Sequence, residues 1–129
     1  MQAPAFPPAG SRVLSWAGVS TAEQAKSERE SLRSQKADNE AAAARFGWQI
    51  VAHLEVPGFS RGYLDLREFA DDAAAQGINA GLQLIEYLEG RKQFDVFMCR
   101  DADRFGRTMS LVTRISEDIL YRLNKHIYT

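Results

Sequence analysis

The sequence predicts an α/β domain, a mainly parallel central sheet of about four to five strands with helices on both faces. Three observations lead there. Short apolar runs alternate along the chain with longer stretches of helical periodicity. One run, Phe94-Asp95-Val96-Phe97-Met98-Cys99, is almost wholly apolar, as a strand covered on both faces has to be. Hydrophobic residues make up 45% of the 129, enough for one domain to bury a core.

Residues 1–11 hold three of the four prolines and neither a basic nor a long apolar stretch, so a flexible tail is expected and not a signal peptide. The domain proper is expected over residues 12–129. Arg12 to Ala17 reads as a first strand, and Gly18-Val19-Ser20-Thr21 as the turn that follows it. Ser27 to Phe46 reads as a long helix, with Ser27 as N-cap and Glu30 three residues on, a capping-box pattern. Leu32, Gln35, Asn39, Ala42, Ala43 and Phe46 fall on one face of it, and Gly47 ends it. Trp48 to Val56 contains a second strand. Pro57 to Gly77 is polar and glycine-containing, with a helical turn expected within Leu64 to Ala75. Ala80 to Glu89 reads as a helix with Leu84, Ile85 and Leu88 on one side, and leads into the strand Phe94 to Cys99. Ser110 to Leu123 is amphipathic, with Leu111, Val112, Ile115, Ile119 and Leu123 sharing a face, and His126-Ile127-Tyr128 opens a further strand.

In such sheets functional groups gather at the carboxyl ends of strands. Two segments there carry suitable chemistry: Gly18 to Thr21 with its hydroxyls, and Arg100 to Arg107 with its charges. With 16 basic and 17 acidic residues the net charge is −1, so bulk electrostatics lend no support to nucleic-acid binding, and any such contact must come from local clusters. A lone cysteine, Cys99, excludes a disulfide framework and fits a reducing cytoplasm; its apolar neighbours make it a core residue. No run reaches the length of a membrane span. His53 and His126 are far apart and belong to no cluster at ligand spacing, so no metal is expected. His53 reads as a strand residue without chemistry. No glycine-rich phosphate loop of either common spacing is present, which weakens the reading of a flavodoxin-like small-molecule module and leaves no cofactor to expect.

Trp16-Ala17-Gly18-Val19-Ser20-Thr21 resembles the aromatic-x-Arg-Val-Ser-Thr signature of the serine site-specific recombinases, the resolvase/invertase superfamily. Ser31-Leu32-x-x-Gln35 is similar to the Ser-Leu-x-x-Gln that follows in that family, and Pro57-Gly58-Phe59-Ser60 to its Gly-x-Ser loop. Phe94-Asp95-Val96 and then Asp103-Arg104-Phe105-Gly106-Arg107-Thr108 resemble the family's Asp-Val strand and its Asp-Arg-x-x-Arg-Ser/Thr motif. These blocks occur in the family's order and span roughly residues 12 to 129. The resemblance implies the resolvase catalytic fold, of the large integrase or transposase type. It also implies an activity: the Ser20 hydroxyl attacks a DNA phosphodiester, leaving a 5′-phosphoserine link and a free 3′-hydroxyl, without metal or external energy. Double-stranded DNA and further copies of the protein, as dimer and tetramer, are the partners it implies.

The residue chemistry agrees. Attack on a phosphodiester builds negative charge that positioned guanidinium groups neutralise well. Arg104 and Arg107, three apart, reach one side of a helical turn. Asp103 is placed to orient one of them or to handle a proton. Gln35 is a polar group on an otherwise largely apolar face, able to bond the serine loop or a phosphate. The expected site set is therefore Ser20, Gln35, Asp103, Arg104 and Arg107, with Gln24 where the family often has a polar loop residue. Ser60 and Arg61 read as plain loop residues.

Two departures stand out. Gly18 occupies the place of the signature arginine, and Asn79 or a neighbour that of a second arginine which usually opens the helix before the third strand. Arg61 or Arg67 are the cations nearest to hand as substitutes. The family's long dimerisation helix and DNA-binding domain find no counterpart before Thr129, so a C-terminally truncated domain is expected, binding DNA weakly by itself. The rival expectation is a weakened or inactive recombinase-fold domain that acts in assembly.

Overall fold

The computed structural model describes residues 6–18, 25–56, 66–99 and 115–128. Four strands, β1 (Arg12–Gly18), β2 (Gln49–Val56), β3 (Val96–Cys99) and β4 (His126–Tyr128), form one parallel sheet in the order β2-β1-β3-β4. Helix α1 (Ala25–Phe46) joins β1 to β2, while α2 (Leu66–Ala74) and α3 (Ala80–Leu88) lie between β2 and β3. A π-helical turn (Asp118–Arg122) precedes β4. The expected α/β class and mainly parallel sheet are thus what the chain adopts.

Alternation along the strands divides the core in two, because successive side chains leave a strand on opposite faces. Leu14 and Trp16 of β1, Leu54 and Val56 of β2, and Phe97 and Cys99 of β3 point to one face, where Phe69, Ala73, Leu84, Leu88, Ile115 and Ile119 cover them. Burying aromatic and large aliphatic side chains of this kind stabilises the fold by about 1.5–3 kcal/mol each. Val13, Val96 and Met98 point to the other face, against Ala43 and Trp48, with Ala42 and Phe46 alongside. The buried face of α1 is apolar only over this carboxyl half. Towards its amino end the buried residues among those described are Asn39 and Gln35, which meet Ser15, Trp16 and Gly18.

Several local expectations are corrected. Helix α1 already runs at Ala25, so Ser27 lies inside it and does not cap it. The stretch expected to hold only a helical turn forms α2, because Phe69, Ala70 and Ala73 at helical spacing bury against α3. In the last helical segment Ile115 and Ile119 keep the expected inward face, but the turn widens: the Leu123 N–H bonds to the Asp118 carbonyl, 2.9 Å away and five residues back. Arg122 there donates to the Leu88 carbonyl at 2.8 Å.

The described part of the expected tail, residues 6–11, is docked on the sheet's amino edge. Pro7 is buried, and its carbonyl accepts the Trp48 indole N–H at 3.1 Å. The Gly10 N–H bonds to the Gly47 carbonyl at 2.8 Å, and the Phe6 ring packs on Phe46, Trp48 and His126. Aromatic partners outweigh the prolines that suggested a free segment. At the same edge Arg12 and Asp95 join the starts of β1 and β3. Asp95 accepts from the Arg12 backbone N–H at 2.7 Å and from its guanidinium at 3.0 and 3.2 Å, and the Asp95 N–H bonds to the Arg12 carbonyl. The Arg12 hydrogen bond holds the Asp95 carboxyl below the usual carboxylate range.

Candidate active site

Because all four strands are parallel, their carboxyl ends share one edge. There β1 lies between β2 and β3, so Gly18, Val56 and Cys99 end three adjacent strands. Neighbouring strands lie about 4.8 Å apart, which puts the three exits within one small area. Ser20, Gln24, Ser60, Arg61, Asp103, Arg104 and Arg107 all belong to the segments that follow these exits and lie outside the described residues.

Gln35 is described, and it is fully buried. Its Oε1 accepts the Gly18 N–H at 3.1 Å; its Nε2 donates to the Gly18 carbonyl at 2.9 Å and to Ser31 Oγ at 3.1 Å. Both amide hydrogens are therefore committed to protein groups. The pair of bonds to Gly18 is the pair a neighbouring strand would make, and it lies beyond Trp16–Cys99, the last described pair of β1 with β3. One turn further along α1, Asn39 Nδ2 donates to Ser15 Oγ at 2.9 Å and to the Trp16 carbonyl at 3.3 Å. The last stretch of β1, leading to Ser20, is thus tied to α1 through both its backbone and a side chain. The sequence reading singled out Gln35 but gave Asn39 no role beyond its helix face. Its signal was available: a second amide four residues on, on the same face.

Ser15 Oγ also lies 2.9 Å from His53 Nδ1, and His53 Nε2 lies 3.4 Å from Glu40 Oε1. Burial and the Lys36 charge push the His53 imidazole below its ordinary pKa, against the opposing pull of Glu40 and Glu55.

Asn79 is exposed at the start of α3 and makes no side-chain capping bond. It helps line a shallow cavity of about 370 Å³ with Leu32, Glu55, Gly77, Ile78 and Gln83, beside the carboxyl end of β2. No guanidinium is among these residues. Arg67, one of the two substitutes considered, forms an exposed ion pair with Asp71 at 3.5 Å on α2. Among the described residues no helix is long and apolar enough to cross a membrane.

No family model matches the chain, and no curated protein does. Among solved structures it is similar to the crystal structure of the N-terminal catalytic domain of TP901-1 integrase, with a TM-score of 0.61 and 22% sequence identity over 91% of this chain and 74% of that one. The parallel sheet and its helices therefore share the fold of that integrase domain.

Proposed function

We propose that this chain is the catalytic domain of a serine recombinase that cuts and rejoins double-stranded DNA through Ser20. The observation that carries the reading is the edge where β1 and β3 end side by side. The hydroxyl-bearing Val19-Ser20-Thr21 leaves one of them and the Asp103-Arg104-x-x-Arg107 motif leaves the other. The fold shared with an integrase catalytic domain supports it.

The chemistry follows from these groups. Ser20 Oγ attacks phosphorus, the bond from phosphorus to the 3′ oxygen breaks, and the 5′ phosphate stays on the serine. The serine proton is released, and the departing 3′ oxygen takes up a proton to become a hydroxyl. The reverse reaction reseals the strand, with no net oxidation and no external energy. A serine hydroxyl is a weak nucleophile until its proton is handled and the phosphate charge is met. In this reading Arg104 and Arg107 meet that charge on the non-bridging oxygens, Asp103 orients a guanidinium or takes the proton, and Gln35 acts through Gly18 by holding the strand that presents Ser20. Several copies of the protein would assemble on DNA, since exchange needs more than one cut.

One observation favours a second reading, a weakened or inactive domain acting in assembly. Gly18 offers no side chain where the signature has an arginine, and its backbone is bound to Gln35. A lost phosphate-stabilising donor costs about a hundredfold or more in rate. The deciding experiment traps the covalent adduct on a suicide DNA substrate that carries the cognate site. Intact protein should form the adduct, Ser20→Ala should abolish it, and Arg104→Ala or Arg107→Ala should slow it by about a hundredfold or more. An undiminished adduct in Ser20→Ala would remove the nucleophile assignment. No adduct from the intact protein would leave the assembly reading.

A further inference from the structure

We propose that Ser15 and Asn39 are positioning residues for the end of β1, and that His53, bonded to Ser15, makes their hold depend on its own protonation. The consequence for DNA cleavage rests on the reading of Ser20 as nucleophile; the coupling itself does not.

The residues form a closed path. It leaves α1 at Asn39, passes through Ser15 on β1 and its register partner His53 on β2, and returns to α1 at Glu40. Ser15 is 1% exposed and Asn39 is 3% exposed, so neither has water in reserve. Buried polar groups are costly unless each is bonded, and an apolar pair here would pack without that demand. What the polar pair supplies is direction. An Nε2–H on neutral His53 faces Glu40, and Nδ1 then accepts the Ser15 hydroxyl proton. Ser15 Oγ in turn accepts from Asn39, whose second contact is the Trp16 carbonyl. Every donor has an acceptor in this arrangement.

Protonated His53 reverses the middle of the path. Nδ1 now carries a hydrogen and donates to Ser15 Oγ. The oxygen then accepts from both His53 and Asn39, and its own hydrogen loses its acceptor inside a closed site. Asn39 and Ser15 must readjust, and with them the strand whose Gly18 is held one helical turn away by Gln35. The charged groups around the imidazole are Lys36 and Glu40 on α1 and Glu55 on β2, while β1 presents only Ser15. Burial and Lys36 favour the neutral ring, and the carboxylates oppose them.

The test is a pH titration of the 15N-labelled 129-residue chain by two-dimensional NMR, from about pH 8 to about pH 5, where imidazoles titrate. The signals followed are the His53 ring, the Asn39 side-chain amide, and the Gly18 and Ser20 backbone amides. The expected result is a common midpoint for all four. Ser15→Ala should abolish the response at Gly18 and Ser20 while the His53 ring still titrates. His53→Gln, which keeps a bonding partner for Ser15 without a titrating proton, should keep the spectrum dispersed and leave the Asn39, Gly18 and Ser20 signals flat across this range. Because His126 is intact in both variants, its own titration is controlled. Gly18 and Ser20 amides that ignore the His53 midpoint, or that follow it unchanged in Ser15→Ala, would overturn the proposal. Adduct formation is scored separately: its absence from the intact protein counts against the recombinase reading, whereas the spectra decide the coupling.

Discussion

A buried glutamine that satisfies both polar groups of a glycine backbone is a demanding arrangement, and Gln35 shows what it supplies. The Gly18 N–H and C=O lie beyond the last described β1–β3 pair, and the Gln35 carboxamide bonds both of them as a strand would. Gln35→Leu keeps much of the volume and removes both partners. An unpaired buried group costs about 1–3 kcal/mol, so we expect the variant to lose about 3 kcal/mol in urea unfolding. Gln35→Glu retains an acceptor for the Gly18 N–H but turns a charged acceptor toward the Gly18 carbonyl in a buried site, so at neutral pH it should lose no less than Gln35→Leu. A Leu variant within about 0.5 kcal/mol of the parent would mean that Gly18 finds other partners. The helical wheel places Gln35 and Asn39 inward from sequence alone. It says nothing of what they meet there, because their partners on β1 are 17 to 24 residues away in the chain. His53 shows the same gap more sharply. It reads as an ordinary strand residue until β1 and β2 pair in register and bring Ser15 against it.

The elements differ in how much of their design is local. Strand β3 declares itself by an unbroken apolar run, which follows from burial on both faces. Helix α1 declares itself by periodicity, although its start was placed two residues late, at a serine that the helix passes through. Helix α2 was legible only as a turn, since its nine residues carry charges that suit a loop equally well. Packing against α3 makes it a helix, and Gly81 allows the approach: a Cβ there would sit 2.9 Å from the Ala70 Cα and 3.0 Å from its Cβ. Gly81 is helical, so an alanine meets no backbone strain and would gain up to about 1 kcal/mol in helix propensity. Overpacking against backbone costs about 1–3 kcal/mol, and we expect that term to win. Gly81→Ala should therefore lower the melting temperature by several degrees, a loss of about 1 kcal/mol. A raised melting temperature would show that α2 can shift by the few tenths of an ångström required.

Across the whole molecule, the titrating groups that depart from their ordinary values predict how the fold responds to acid. Burial lowers the pKa of both His53 and His126 in the folded chain. Below about pH 6.5 the unfolded chain then binds more protons than the folded one, so stability is full above that pH and declines as pH falls towards the folded values. Asp95 adds a second step with the same outcome. Its carboxyl is lowered by Arg12, so its contribution is present above about pH 3.9 and is lost as pH falls through its folded value. Urea midpoints measured against pH should show both declines, and the double variant His53→Gln, His126→Gln should lack the first. An unchanged first decline in that variant would assign it to other groups. By itself the sequence determined the α/β class, the order of the strands and of helices α1 and α3, and the inward faces, because periodicity and residue chemistry are local properties. Only the tertiary structure decided that the strands run β2-β1-β3-β4, that residues 6–11 dock on the amino edge, and that Gln35, Asn39, Ser15 and His53 meet beneath α1. Each of these depends on pairing between residues distant in sequence, where hydrogen-bond geometry and packing select among partners that composition leaves equivalent.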